Sequence, residues 1–288
     1  MSRHTKIVAT LGPASSTTEV LESLVQAGID VVRMNFSHGT VEDHIARATG
    51  IRAAAAKFGR TVGILGDLQG PKIRVGKFEG GKITLVPGEN FILDAQCPLG
   101  NQERVGLDYK DLPKDVVNGD ILLLDDGRLK LEVLGVRGRE IHTRIIVGGE
   151  LSNNKGINRQ GGGLTAPALT AKDMDDIKTA AQIGVDFVAV SFPKSAADMY
   201  MARQLLRAAG STAVLIAKIE RVEAITNLAE ILDASDGIMV ARGDLAVEVG
   251  DATVPALQKK MIRMARDKNK LTITATQMME SMIYSPVP

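Results

Sequence analysis

A single cysteine, Cys97, in 288 residues leaves no internal disulfide framework and fits a reducing compartment. An excess of one charge is also missing. With 35 Lys plus Arg against 34 Asp plus Glu, no general field draws the chain to nucleic acid or to an anionic membrane, so any phosphate site has to be local. The N-terminal stretch lacks an apolar signal core, since residues 2–6 are polar and the run 7–10 is short. No segment nears the length of a membrane span. What is present is 44% hydrophobic residues in a chain long enough for one large domain or two of ordinary size. These features predict a soluble, cytoplasmic protein with neither nucleic acid nor membrane as partner.

Short apolar runs at 6–10, 31–36, 62–68, 187–192, 214–219, 237–240 and 271–275 alternate with amphipathic stretches and read as about seven parallel strands of an α/β fold. Between the first two, Ser16 and Glu19 form a candidate capping box. Val20, Leu21, Leu24 and Val25 make an apolar stripe, and Gly28 closes the helix. The run AGIDVVRMNF from Ala27 returns as IGVDFVAVSF from Ile183, an internal echo of the kind that builds α/β barrels.

From Pro71 to Pro167 the pattern changes. Segments 83–86, 91–93, 121–124, 129–134 and 141–147 are β-rich, with Pro87-Gly88, Asp126-Gly127 and Arg137-Gly138 as turn signals. This predicts a barrel domain over 1–70 and 168–288, interrupted by an antiparallel β domain over 71–167. The insert leaves after the third strand and returns before a helix beginning near Thr170, so it hangs over the C-terminal strand ends, where barrels keep their chemistry. A lid is one role for it and a plain structural insertion the other.

The strand ends, the fourth excepted, carry polar residues: Arg33, Asn35, Ser37 and His38; Asp67 with Lys72 and Arg74; Lys218 and Glu220; Gly243 and Asp244; Thr276 and Gln277. Side chains alternate along a strand, so Lys218 and Glu220 share a face, and Asp244 occupies the corresponding place after 238–240. Two acids there can share a divalent cation, or Lys218 and Glu220 can simply pair. Arg33 and Arg74 offer planar forks matched to phosphate oxygens. Gly243 has no side chain, so its N–H and that of Asp244 can approach a carboxylate closely. Asp125-Asp126-Gly127 reads as a hairpin turn first and a lid contact second.

The runs KIVATLGPAS, NFSHG, GDLQGPKIR, AKIE, MVARGD and ATQMMESM together resemble the pyruvate kinase family, bacterial type, over residues 6–288. The resemblance implies a TIM-type (β/α)8 barrel, here incomplete, and phosphoryl transfer between phosphoenolpyruvate and ADP that yields pyruvate and ATP. It implies Mg²⁺ or Mn²⁺ on Glu220 and Asp244, and Lys218 beside the phosphoryl in flight. Arg33 would hold the substrate phosphate, and Gly243 with Asp244 the substrate's acid end. Thr276 would lie beside the enolate face that receives a proton. A threonine hydroxyl is a poor acid at neutral pH, so it would orient a water or relay a proton. Arg74 and Lys155 would contact nucleotide phosphates, Lys155 from the lid, and His38 would do structural or nucleotide-contact work.

In the family, Asn35, Ser37, Asp67 and the carbonyl of Leu68 correspond to a potassium site. Potassium-dependent members look like Asp-Thr-Lys-Gly-Pro-Glu where this chain has Asp67-Leu68-Gln69-Gly70-Pro71-Lys72. Lys72 is therefore expected to put its ammonium where the potassium would sit, and K⁺ not to be required. The family continues past the position of Pro288 with an eighth barrel unit and a C-terminal domain carrying effector sites and subunit contacts, usually as a homotetramer. The expectation is a piece of a longer protein, weakly active or inactive by itself. Two rival readings are a Mg²⁺-dependent aldolase of oxoacids on the same barrel and a non-catalytic fragment that binds nucleotide or metal.

Overall fold

The computed structural model describes residues 3–276 and 279–286. Seven strands, Val8–Leu11, Val31–Asn35, Gly63–Asp67, Phe187–Val190, Val214–Ile219, Gly237–Ala241 and Leu271–Ala275, form one all-parallel sheet in which spatial order equals chain order. Helices cross between them, as parallel neighbours require. The curled sheet is an incomplete TIM-type barrel. The third and fourth strands pair directly, Asp67 opposite Ala189, although the whole insert lies between them in sequence.

The strands are apolar throughout because both faces are buried. Ile64, Val188 and Leu215 pack outward against the helices, while Leu65, Ala189, Ile216 and Met239 form a small inner core. The sequence echo has a structural counterpart. Gly28 and Gly184 both end helices in the left-handed conformation, at φ 96° and 69°. Asp30 and Asp186 then each accept the N–H that opens the preceding strand, from Ile7 at 2.8 Å and Ile64 at 2.7 Å. Asp236 repeats the device on Leu215 at 2.8 Å.

The first helix, Thr18–Ala27, corrects one expectation. Its N-cap is Thr17, whose hydroxyl accepts from the Val20 N–H, and no Ser16–Glu19 box forms. A 3-10 turn at Pro13–Ser15 precedes it, and the Ser16 hydroxyl donates back to the Gly12 carbonyl instead. The helix Ala171–Ile183 begins where expected, next to Thr170, and Thr170 and Asp173 cap it in a reciprocal box.

The insert holds a six-stranded sheet in the order Ile157–Arg159, Ile121–Leu124, Leu129–Arg137, Glu140–Val147, Asn90–Asp94, Arg104–Val105, beside a two-stranded one of Gly149–Ser152 with Lys82–Leu85. Pairing is antiparallel except for the short Arg104–Val105 strand, which runs parallel to its neighbour. Its apolar core, from Ile73 to Leu164, is separate from the barrel's. No helix among the described residues is long and apolar enough to cross a membrane.

Candidate active site

Lys218 stands near the end of the fifth strand, only 12% exposed. Its ammonium lies 2.9 Å from Glu220 Oε1, 3.2 Å from Asp67 Oδ1 and 2.7 Å from Ser191 Oγ. Burial alone would lower its pKa, but the Glu220 and Asp67 carboxylates outweigh that and hold it above the ordinary lysine value. Burial pushes the Glu220 carboxyl up; Lys218 opposes the shift, and the Asp244 and Asp67 carboxylates reinforce it. Glu220 Oε2 accepts the Phe192 N–H at 2.9 Å. Arg33 closes the cluster on the other side, with Nε 2.6 Å from Asp67 Oδ2 and Nη1 3.0 Å from Thr10 Oγ1. The ends of the first five strands thus meet around one buried carboxylate, Asp67.

Asp244 lies in the first turn of the helix Arg242–Val249, where backbone N–H groups and the helix dipole favour negative charge. The Gly243 N–H donates to Thr276 Oγ1 at 3.1 Å, so the amide expected for a substrate carboxylate already has an acceptor in this structure. Thr276 is held at φ 75°, a conformation that a β-branched residue adopts only under constraint. Arg242 donates to the carbonyls of Ala275 and Thr276 at this turn, each at 2.7 Å. Gln277, also read as a strand-end candidate, lies outside the described residues.

Lys72, expected among Asn35, Ser37 and Asp67, is instead paired with Asp244. Its ammonium donates to Asp244 Oδ1 at 2.9 Å and lies 3.6 Å from Asp126 of the insert. The reason is electrostatic. Asp67 already has Arg33 and Lys218, whereas Asp244 and Asp126 offer two acids at the rim of a cleft. Burial works against the Lys72 charge, but Asp244 and Asp126 outweigh it and raise its pKa. Asn35 turns its side-chain oxygen to the Ser37 N–H at 3.1 Å, and the Leu68 carbonyl accepts from Ser191 Oγ at 2.7 Å.

Lys155 and Arg74 are held within the insert. Lys155 pairs with Asp125 at 2.7 Å, and Arg74 Nη1 donates to the Asn154 carbonyl at 3.0 Å. His38 is exposed, and its N–H donates to the Asn35 carbonyl. Asp125, Asp126 and Gly127 all have positive φ, as a tight hairpin needs, and Asp126 also makes the contact to Lys72. A cleft of about 1080 Å³ opens between barrel and insert, with Gly243, Asp244 and Thr276 on one wall and Asp126 and Arg128 on the other. It is roomy enough for small phosphorylated ligands.

No group of three or more His, Cys, Asp or Glu among the described residues forms a ready metal cage. Glu220 and Asp244 make a two-carboxylate set, close enough for Asp244 to raise Glu220. That suits a hard divalent ion, which takes one or two protein carboxylates and completes its shell with water or substrate oxygens. Ser191 is the residue that reading the sequence missed. The fourth strand looked silent because a serine before an aromatic carries no signal until its partners are known.

The family described as "Pyruvate kinase, barrel domain" matches residues 2–288. Curated relatives include a pyruvate kinase of Haemophilus influenzae, 60% identical over 99% of this chain and 61% of its own length. Pyruvate kinase II of Salmonella typhimurium is 58% identical over the same shares, and a pyruvate kinase of Mycobacterium intracellulare is 46% identical over 100% and 61%. The chain thus spans about three-fifths of the length of these relatives. With almost all of its residues matched and its strand ends converging on one carboxylate-and-cation cluster, the chain belongs to the pyruvate kinase family.

Proposed function

We propose that the protein transfers a phosphoryl group from phosphoenolpyruvate to ADP, giving pyruvate and ATP, in the cytoplasm and as part of a homotetramer in its whole form. The observation that supports this best is Lys218, a buried ammonium kept charged by Glu220 and Asp67 at the meeting point of five strand ends. A preorganised cation in a partly dry site stabilises charge that develops during transfer, usually the largest catalytic contribution. Lys218 would face the transferring phosphoryl and the enolate oxygen left behind. Arg33, with two of its five donors spent on Asp67 and Thr10, would turn the others to the substrate phosphate.

Glu220 and Asp244 would hold Mg²⁺ or Mn²⁺, which supplies charge neutralisation for the phosphoryl oxygens. Lys72 then has Asp126 as its remaining acid. Gly243 and Asp244 would present their N–H groups to the substrate carboxylate once Thr276 Oγ1 turns away to orient the proton donor for the enolate carbon. Arg74 and Lys155 would reach the nucleotide phosphates when the insert, residues 71–167, closes as a lid on the barrel, with His38 beside the nucleotide. No potassium requirement is expected, because Arg33 and Lys218 already balance the Asp67 carboxylate. Pyruvate formation from phosphoenolpyruvate, ADP and Mg²⁺, followed in a coupled assay on the full-length protein, tests the reading. No phosphoryl transfer above background would reject it.

A further inference from the structure

Three groups surround the Lys218 ammonium, and only one is neutral. Ser191, 1% exposed, puts Oγ 2.7 Å from Lys218 Nζ and 2.7 Å from the Leu68 carbonyl. A carbonyl cannot donate and an ammonium cannot accept, so the hydroxyl proton must point to Leu68, leaving a lone pair for Lys218. The serine is therefore locked as an acceptor of one orientation. Glu220 and Asp67, by contrast, divide their charge, Glu220 with the proposed metal and Asp67 with Arg33.

The backbone supports the same arrangement. Immediately after Ser191 the chain enters the left-handed region at Phe192, φ 54°, a conformation most non-glycine residues avoid. That turn aims the Phe192 N–H at Glu220 Oε2, 2.9 Å away. Two successive residues thus hold the two members of the ion pair, one by side chain and one by main chain. The loop carrying Leu68 comes close enough because residue 70 is glycine: a Cβ there, at φ 68°, would lie 2.6 Å from Ser191 Cβ.

We propose that Ser191 is a positioning residue of the site: a neutral, orientation-locked acceptor that fixes the Lys218 ammonium while its charged partners are shared with other cations. The proposal rests on the phosphoryl-transfer reading above for its kinetic consequence, though not for its geometry. Catalytic groups displaced by about 1 Å lose much of their effect, so a fixed acceptor matters for turnover more than for substrate binding.

The test compares the full-length parent with Ser191→Ala, which removes the acceptor, and Ser191→Cys, which fills nearly the same space but accepts weakly. Both variants should lose about tenfold to a hundredfold in kcat, the worth of one hydrogen bond to a charged group, with KM for phosphoenolpyruvate changed by no more than about twofold. Crystal structures of the parent and Ser191→Ala should show the Lys218 ammonium displaced in the variant. Parent-like kcat in Ser191→Cys would make the role one of packing and overturn the proposal, as would an unmoved ammonium in Ser191→Ala. Should the parent itself make no pyruvate, the reaction reading falls, and the ammonium position in the two crystals alone supports or overturns the positioning role.

Discussion

Glu220→Gln removes one charge from the centre of the cluster while keeping its shape. The amide oxygen can still accept the Phe192 N–H, so what disappears is the attraction across 2.9 Å to Lys218. Coulomb's law at an effective dielectric of about 20 values that attraction at about 6 kcal/mol, against which the desolvation of both groups has to be set. Breaking a buried pair from one side costs about 3–5 kcal/mol. Lys218 keeps Asp67 at 3.2 Å and Ser191 at 2.7 Å, which places this variant at the lower end. A loss of about 3 kcal/mol corresponds to roughly 5–10 °C in thermal midpoint for a chain of this size. Lys218→Met should cost more, since it strips the ammonium from two buried carboxylates. The double variant should recover part of the loss, with a coupling of about 1–3 kcal/mol in a double-mutant cycle. Mn²⁺ titration of Glu220→Gln should show affinity at least about tenfold weaker, as expected for a lost charged ligand. A midpoint within about 1 °C of the parent, together with unchanged Mn²⁺ affinity, would refute both the ion-pair and the metal assignments.

The insert should close on the barrel when Mg²⁺ and ADP are both present. Arg221 holds the Leu164 carbonyl at 2.9 Å and Glu223 holds the Gly163 N–H at 2.7 Å, so amide exchange around 71–74 and 161–166 should slow on adding both, and unchanged exchange there would count against a lid. Turnover in potassium-free buffer, with tetramethylammonium as the inert salt, should match turnover in KCl; strong activation by K⁺ would show that Arg33 and Lys218 do not stand in for it. Thr276→Gly should relieve the strain at φ 75° and leave the thermal midpoint level or higher while kcat falls. A fall in both would mean that Thr276 serves stability more than the proton step.

Much of the fold was legible in the sequence because burial writes itself into apolar periodicity. All seven barrel strands lie within two residues of where their apolar runs predict, and the glycine-acid echo marks a helix end and a strand-pinning carboxylate in both copies. Short strands such as Arg104–Val105 and Ile157–Arg159 escaped, being held by neighbours distant in sequence more than by any pattern of their own. At the site, residue types at strand ends pointed to Lys218, Glu220 and Asp244. What they could not show is which acid each cation chooses. Lys72 sits on Asp244 and not on Asp67 because Arg33 and Lys218 reach Asp67 first, a competition decided by four separate stretches of chain. Ser191 stayed hidden for a similar reason, its meaning residing in Leu68, just past one flanking strand, and Lys218 on the other.

Anomalous diffraction from crystals grown with Mn²⁺ and phosphoenolpyruvate tests the central claim most directly. The account predicts one strong manganese peak bonded to Glu220 and Asp244 at about 2.0–2.3 Å, with the Lys72 ammonium moved off Asp244 and Lys218 beside the phosphoryl group. A peak elsewhere, or Lys72 still on Asp244 with no manganese between the two carboxylates, would contradict it.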